Sequence, residues 1–136
     1  MCKKVFCFLL VLGLCAPVWA ECRGGTEYTD TNNHTYCISD IKMNWWTAFS
    51  WCQANKRTLA TLQEACPDTR YGATCPNLMN STDPNRNKSF SACLWTASPH
   101  NAEGTDAAAL AWSSSEIHSN CWWGNGRGQA NYAFCY

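Results

Sequence analysis

The sequence predicts an α+β domain in which two helices pack on small antiparallel β-sheets and disulfides fix the chain. Three observations indicate this fold class: eleven cysteines, of which eight remain once the predicted N-terminal signal segment is removed, one helix-forming segment with an apolar stripe, and several short segments of strand composition. With 136 residues, 46% of them apolar, the chain is long enough for one core and too apolar for a disordered tail.

The N-terminus has the pattern of a signal peptide. Two lysines precede the apolar stretch Val5–Leu14, and Val18-Trp19-Ala20 places small residues at the −3 and −1 positions of a cleavage site. The apolar stretch is too short to span a membrane as a helix. We therefore expect residues 1–20 to be removed and residues 21–136 to form the mature domain. The product would be secreted or extracytoplasmic, whether extracellular, periplasmic or at a cell surface.

Cleavage leaves an even number of cysteines, which favours disulfides in an oxidising compartment. A structural zinc site is the alternative, but no two of the remaining cysteines have the two-residue spacing of a zinc knuckle. We expect four disulfides, whose pairing the spacing alone does not determine. The eight cysteines of the mature chain are Cys22, Cys37, Cys52, Cys66, Cys75, Cys93, Cys121 and Cys135.

The mature chain begins with a predicted β-hairpin. Thr26–Thr29 and Thr35–Ile38 have strand composition, and the turn residues Asp30–Asn33 lie between them. Cys22 and Cys37 are expected to flank this hairpin.

Two helices are predicted next. Asn44 is a suitable N-cap, and apolar residues at offsets 0, 3, 4 and 7 predict a single buried stripe. This stripe consists of Trp45, Ala48, Phe49 and Cys52. Thr61 and Glu64 have the spacing of a capping box, which predicts the start of a second helix. Pro67 limits that helix to a short one.

The rest of the chain is predicted to be a long surface loop followed by short strands. Residues 67–92 are polar and rich in turn residues. The segments of strand composition that follow are Cys93–Ala97, Ala108–Ser113, Asn120–Trp123 and Asn131–Tyr136, with turns at Pro99–Asp106 and Gly124–Gly128.

Three segments share motifs with a known family. Met43–Leu62 carries a Trp, an Ala three residues on and a Cys four beyond, followed after seven residues by Leu-Ala and then an aliphatic residue. Leu94–Ala97 is similar to a Trp-Ile-Gly strand, and Ala133–Tyr136 to a closing aromatic-aliphatic-Cys-acidic strand. In this order the segments resemble the C-type lectin-like domain and cover nearly all of the mature chain. Lys56 replaces the usual Gly, and Tyr136 replaces the terminal Glu.

The resemblance implies a C-type lectin-like fold in which the cysteine of the first helix is joined to the last strand. It implies the disulfides Cys52–Cys135 and Cys22–Cys37, and we pair the other four cysteines as Cys66–Cys75 and Cys93–Cys121. On the chain-entropy account, the long Cys52–Cys135 loop would add about 4–5 kcal/mol of stability.

The calcium-binding motifs of the resembled family are missing from this sequence. The family uses Glu-Pro-Asn or Gln-Pro-Asp after the Trp-bearing strand and a later Trp-Asn-Asp. Here Asp83-Pro84-Asn85 precedes Trp95, and no Trp-Asn-Asp occurs. The carboxylates in the corresponding stretch are Glu103, Asp106 and Glu116. We therefore expect binding without calcium, a metal or another cofactor; calcium-dependent carbohydrate binding is an alternative.

Ligand contacts are expected from the C-terminal part of the chain. Trp122 and Trp123 are adjacent on a predicted strand, so one indole faces the core and the other faces outward. If Cys121 points inward, Trp122 is the outward one. An outward indole can stack on a sugar or anchor a protein while amides bond to the ligand, although ordinary sheet packing is the alternative. The expected contact residues are Glu116, Asn120, Trp122, Asn125, Arg127 and Asn131. We expect Trp45 and Trp95 to lie in the core.

Other classes of function have little support in the sequence. His34, His100 and His118 lie in polar, turn-like stretches and are expected to face solvent, and the chain has no Gly-x-Ser-x-Gly motif. The formal net charge is zero, so the chain lacks the basic excess that attracts nucleic acid. We therefore expect an exported, non-enzymatic module that binds an extracellular protein or glycan. The alternative is a structural or adhesive module of a cell-surface assembly.

Overall fold

The computed structural model describes residues 21–70, 72–85, 92–99, 106–113, 116–119, 121 and 126–136. The predicted signal segment, residues 1–20, lies outside these ranges. Within them the chain is α+β, with a curled six-stranded sheet, two α-helices and four disulfides. No helix of the described part has the length and apolar character needed to cross a membrane.

The strands form one continuous sheet in the order β1-β2-β6-β3-β4-β5. They are β1 (Gly25–Thr29), β2 (Thr35–Met43), β3 (Ala92–Pro99), β4 (Ala107–Trp112), β5 (Ile117–His118) and β6 (Asn131–Cys135). The expected small antiparallel sheets are wrong in this respect, because β6 lies between β2 and β3 and joins two hairpins. β6 pairs antiparallel with β2 and parallel with β3.

The N-terminal hairpin is confirmed. β1 and β2 pair in antiparallel register, with Tyr28 opposite Tyr36. Asp30 shapes the turn, because its carboxylate accepts hydrogen bonds from the backbone N–H groups of Asn32 and His34, each at 2.8 Å. Asn33 takes the left-handed conformation, with φ of 64°, which Asn tolerates better than most residues do.

The outer edge of β1 is covered by side chains from the loop after the second helix. Asp83 accepts from the backbone N–H of Thr29 at 2.7 Å, and Asn85 donates to the carbonyl of Glu27 at 2.9 Å. The prediction of a long surface loop is therefore only partly correct, because part of this loop packs against the sheet. A 3₁₀ turn at Pro76–Leu78 buries the Leu78 side chain in the core, because an apolar residue there completes the packing around the hairpin.

Helix α1 (Trp45–Ala54) begins at the predicted N-cap, where the Asn44 side chain accepts from the backbone N–H of Thr47 at 2.9 Å. Ala48 and Cys52 are buried as expected. The predicted stripe is wrong for the other two members: Phe49 is 39% exposed and Trp45 is half-buried. Only the side of the helix that carries Cys52 faces the sheet.

Helix α2 (Leu62–Ala65) is short and begins with the predicted capping box. The Thr61 hydroxyl accepts from the backbone N–H of Glu64 at 3.2 Å, and the Glu64 carboxylate accepts from the backbone N–H of Thr61 at 2.7 Å.

A core lies on each face of the sheet, as the alternation along β6 shows. Tyr132 and Phe134 pack with one cluster, which includes Trp112 and the hairpin tyrosines. Ala133 and Cys135 pack with the other, under α1. Trp95 lies fully buried in this second cluster, as expected, and its indole donates to the Met43 carbonyl at 2.8 Å.

All four expected disulfides are present. Their Cα–Cα distances lie between 4.6 and 5.6 Å, within the usual range. The pairs are Cys22–Cys37, Cys52–Cys135, Cys66–Cys75 and Cys93–Cys121.

Candidate binding groove

A groove of about 450 Å³ opens at one end of the sheet. Its lining combines an apolar floor with a ring of polar side chains. The floor residues are Cys93, Ala111, Trp112 and Cys121, and the polar residues are Lys42, Ser113, Glu116, His118, Gln129 and Asn131. A concave site of this size with a few placed polar groups is typical of ligand recognition.

The strand register explains why residues so distant in sequence meet in the groove. Cys93 pairs with Ala111, and Ala111 in turn pairs with His118. On the other side, Met43 pairs with Asn131, which brings Lys42 beside the start of β6. The groove thus crosses the sheet from β2 to β5, and the Cys93–Cys121 disulfide fixes its floor.

At the β5 end, the carboxylate of Glu116 lies 2.8 Å from His118 Nε2. A carboxylate oxygen can accept a hydrogen bond from an imidazole N–H at this distance. His118 Nδ1 is buried and has no hydrogen-bond partner among the described residues. The expectation that His118 faces solvent is therefore wrong: its side chain is 30% exposed, because β5 draws it onto the sheet. Glu116, at 66% exposure, keeps acceptor capacity for a ligand.

Ser113 fixes the backbone of Glu116. Its hydroxyl donates to the Glu116 carbonyl and accepts from the Glu116 backbone N–H, both at 2.9 Å. A catalytic relay needs one ring nitrogen on a carboxylate and the other on the nucleophile. Here His118 Nε2 meets the Glu116 carboxylate, and the buried Nδ1 has no hydrogen-bond partner among the described residues.

At the β2 end, the groove carries a cation. The Lys42 ammonium lies 5.6 Å from the centre of the Tyr132 ring, a cation–π distance that orients an otherwise flexible side chain. The groove therefore has a positive end at Lys42 and a negative end at Glu116.

The expected contact residues are only partly brought together. Glu116 and Asn131 line the groove. Arg127 does not line it, because its guanidinium lies 4.4 Å from the Trp45 ring centre and its carbonyl accepts from the Trp45 backbone N–H at 2.9 Å. The remaining expected contacts, together with the second indole of the pair, lie outside the described residues: Asn120, Trp122, Trp123 and Asn125.

Sequence reasoning missed Lys42, His118 and Gln129 as groove residues. The strand β5 was not predicted, and without it His118 has no reason to approach the sheet. Lys42 is separated from Glu116 by more than seventy positions, and only the insertion of β6 beside β2 brings their elements to one end of the sheet. No local pattern carries this signal.

The carboxylates considered for calcium do not converge in the described part of the chain. Glu116 lies in the groove, Asp106 forms an isolated β-bridge with Gly126, and Glu103 lies outside the described residues. Among the residues that the structure describes, no group of three or more His, Cys, Asp or Glu side chains is arranged to hold a metal ion.

Two side chains away from the groove have shifted pKa values. Burial, reinforced by nearby Asp30, raises the pKa of the Tyr36 phenol well above its usual value. Hydrogen bonds from Arg70 lower the pKa of the exposed Asp68 carboxyl to about 2.

Helix α1 presents a second surface, which is aromatic. Trp46 is 55% exposed and lies edge-on to Trp45, with 6.3 Å between ring centres. Phe49 stacks on the Trp45 ring, with 5.6 Å between the ring centres. The helix contains no charged residue, although exposed helix faces usually carry charge.

Comparison of the chain with protein-family models, curated proteins and solved structures gives no match.

Proposed function

We propose that the chain is an exported C-type lectin-like module that binds an extracellular protein or glycan without calcium. The observation that carries the proposal is the groove between β2 and β5, in which polar side chains surround an apolar, disulfide-fixed floor. Such a site excludes water from its floor while the polar groups select and orient a ligand.

The disulfides support the assignment to an exported C-type lectin-like domain. Cys52–Cys135 joins α1 to the last strand and Cys22–Cys37 lies in the first hairpin, which are the two pairs that the resemblance implied. Four disulfides in one small domain are also typical of an oxidising, extracytoplasmic compartment.

The donor set of the groove supports calcium-independent binding. Calcium takes six to eight oxygen ligands, with several carboxylates among them. Among the described residues that line the groove, Glu116 supplies the one carboxylate, and it already accepts from His118. Lys42 and Gln129, which are both exposed, would instead bond to the ligand directly.

Parallel glycan and peptide arrays, probed with and without a chelator, test the proposal. We expect saturable binding that the chelator leaves unchanged and that Glu116→Gln or Gln129→Ala weakens. Gln53→Ala is the matched control, because Gln53 is exposed on α1 outside the groove. Binding abolished by the chelator would favour the calcium-dependent alternative, and binding untouched by both groove variants would contradict the proposal.

The exposed aromatic residues of α1 favour a second candidate, an adhesive module of a surface assembly. Contiguous exposed apolar side chains mark protein contacts more often than chance. In that case Trp46→Ala would abolish attachment to the assembly, while Glu116→Gln would leave it intact.

A further inference from the structure

We propose that Asn33 is the acceptor of an N-linked glycan in the exported protein and that Asn80 is not. The sequence contains three Asn-X-Ser/Thr acceptor motifs, none with Pro at the middle position. They are Asn33-His34-Thr35, Asn80-Ser81-Thr82 and Asn87-Lys88-Ser89, the last of which lies outside the described residues. The motif alone does not separate the first two, but the surroundings of their amides do. The inference uses the export that the proposed function includes and does not depend on the groove.

The Asn33 side chain lies at the tip of the first hairpin and is open to solvent. Residues 31–34 are all exposed, and the Asn33 side-chain amide makes no hydrogen bond with the described residues. Backbone groups hold the turn instead, since the Asn33 backbone N–H donates to the Asp30 carbonyl at 3.2 Å. A substituent on Asn33 Nδ2 therefore breaks no described contact of the folded protein.

The Asn80 amide has the opposite surroundings, because its polar groups are used within the protein. Nδ2 donates to the carbonyls of Thr29 at 2.8 Å and of Asp30 at 3.2 Å. Oδ1 accepts from the Thr82 backbone N–H at 3.1 Å and from the Thr82 hydroxyl at 2.6 Å. A glycosylated amide keeps only one N–H, so one of the two carbonyls would lose its partner, and the sugar would be attached where the loop contacts the hairpin. Whether transfer precedes or follows folding, a chain modified at Asn80 is not expected to reach this fold.

The transfer needs the free amide of Asn33 and a donor from the export pathway. The donor class is an oligosaccharide carried on a polyprenol pyrophosphate, bound to a membrane transferase. Asn33 Nδ2 forms a bond to C1 of the first sugar while the bond between C1 and the pyrophosphate oxygen breaks. Nδ2 releases one of its two protons, the polyprenol pyrophosphate leaves, and nothing is oxidised or reduced.

The hairpin tip and the groove lie at opposite ends of β2. Asn33 lies just before the first residue of this strand, whereas Lys42, which lines the groove, lies next to the last. A glycan on Asn33 therefore leaves the groove accessible to a ligand.

Site-resolved mass spectrometry of the full chain, expressed in cultured eukaryotic cells and collected from the medium, tests the inference. An amidase that removes N-linked glycans in ¹⁸O-water converts each modified Asn into an ¹⁸O-labelled Asp. We expect the label at Asn33 in most molecules and none at Asn80 in the disulfide-bonded protein. An unmodified Asn33 in the secreted protein, or a glycan on Asn80 in the disulfide-bonded form, would overturn the inference.

Variants connect the glycan to the hairpin tip. Asn33→Gly removes the acceptor and suits the local backbone, whose φ of 64° is one that Gly adopts readily. Thr35→Ala removes the third residue of the motif, and Thr35→Ser keeps a hydroxyl there. We expect Asn33→Gly and Thr35→Ala to lose the mass of one glycan relative to wild type. Thr35→Ser should retain it, as should the control Asn32→Gln, which changes an exposed neighbour outside the motif. An unchanged glycan mass in Asn33→Gly or Thr35→Ala would overturn the inference.

Failure of the inference is distinguishable from failure of the proposed function. Secretion of a chain with an unmodified Asn33 would remove the glycan site and leave the exported binding module standing. A chain that stays inside the cell with its N-terminal segment uncleaved would contradict export and therefore both proposals.

Discussion

The two ends of the sheet are completed in opposite ways. At the β1 edge, side chains from residues 80–85 form hydrogen bonds with backbone groups of Glu27 and Thr29. At the other end, β5 is only two residues long and its neighbourhood opens into the groove. Natural sheets cover exposed edges because unpaired strands invite aggregation. The β1 edge thus uses its polar groups within the protein, whereas the groove presents exposed polar side chains, those of Lys42, Glu116 and Gln129.

Substitutions can test the energetic consequence of this difference. Polar groups bonded inside the protein should contribute to folding and leave binding unaffected. Polar groups exposed in the groove should contribute little to folding and much to binding.

The largest effect on stability should come from Cys52–Cys135, which joins α1 to the strand shared by both regions. Replacing both cysteines by Ala should lower the free energy of unfolding by about 4–5 kcal/mol, because a long loop is released in the unfolded chain. Guanidinium titration under non-reducing conditions measures this. The pair Cys66–Cys75 closes a much shorter loop and should cost only about 2–3 kcal/mol. An equal loss for both pairs would show that loop length does not set the contribution.

At the β1 edge, Asn80→Ala should cost about 2 kcal/mol. The Asn80 amide donates to the carbonyls of Thr29 at 2.8 Å and Asp30 at 3.2 Å, and both acceptors would lose a partner. Asn32→Ala is the control, since Asn32 is exposed in the turn of the same hairpin, and it should change stability by less than about 0.5 kcal/mol. Chemical denaturation of the two variants compares them. Similar small losses would mean that the edge is not held by this loop.

The hairpin side should also show an alkaline dependence through Tyr36. Burial raises the pKa of its phenol in the folded protein above the ordinary value of 10.0. The unfolded chain therefore releases this proton first, so the contribution is fully present below about pH 10 and is lost as the pH rises beyond it. Tyr36→Phe should flatten the fall in melting temperature above pH 10 relative to wild type. Parallel curves for the two proteins would contradict the assignment.

The smallest effect on stability should come from the groove. Glu116→Gln should change the free energy of unfolding by less than about 1 kcal/mol, because the Glu116 side chain is 66% exposed. The same substitution should weaken ligand binding measurably. A large loss of stability would place Glu116 among the structural polar groups and remove the contrast between the two ends of the sheet.

Local features of the fold could be predicted from the sequence. The Asn44 cap, the Thr61–Glu64 capping box and the Asp30 turn depend on residues within a few positions of one another, and each is present. The disulfide pairing came from the family resemblance rather than from spacing. The prediction that Phe49 is buried was wrong. The spacing of apolar residues identifies one side of a helix, but it does not show how much of that side the sheet will cover.

Features that depend on distant partners could not be predicted. A two-residue strand such as β5 has no periodicity, and it exists because Ala111 and Trp112 offer it an edge. Leu78 is buried because the hairpin packs over it, which the polar, turn-rich composition of residues 67–92 does not indicate. Glu116 and Asn131 were expected at the site, but Lys42 was not, because its position in the groove follows from the central insertion of β6.

The most direct test of the groove as the binding site is nuclear magnetic resonance of the ¹⁵N-labelled domain. The domain is titrated with a peptide or glycan that the arrays identify as a ligand. We expect the backbone amides that shift with saturation to cluster at Lys42, Ala111, His118, Gln129 and Asn131, while those of β1 stay unchanged. Shifts concentrated instead around Trp46 and Phe49 on α1, with the groove amides unmoved, would contradict the account.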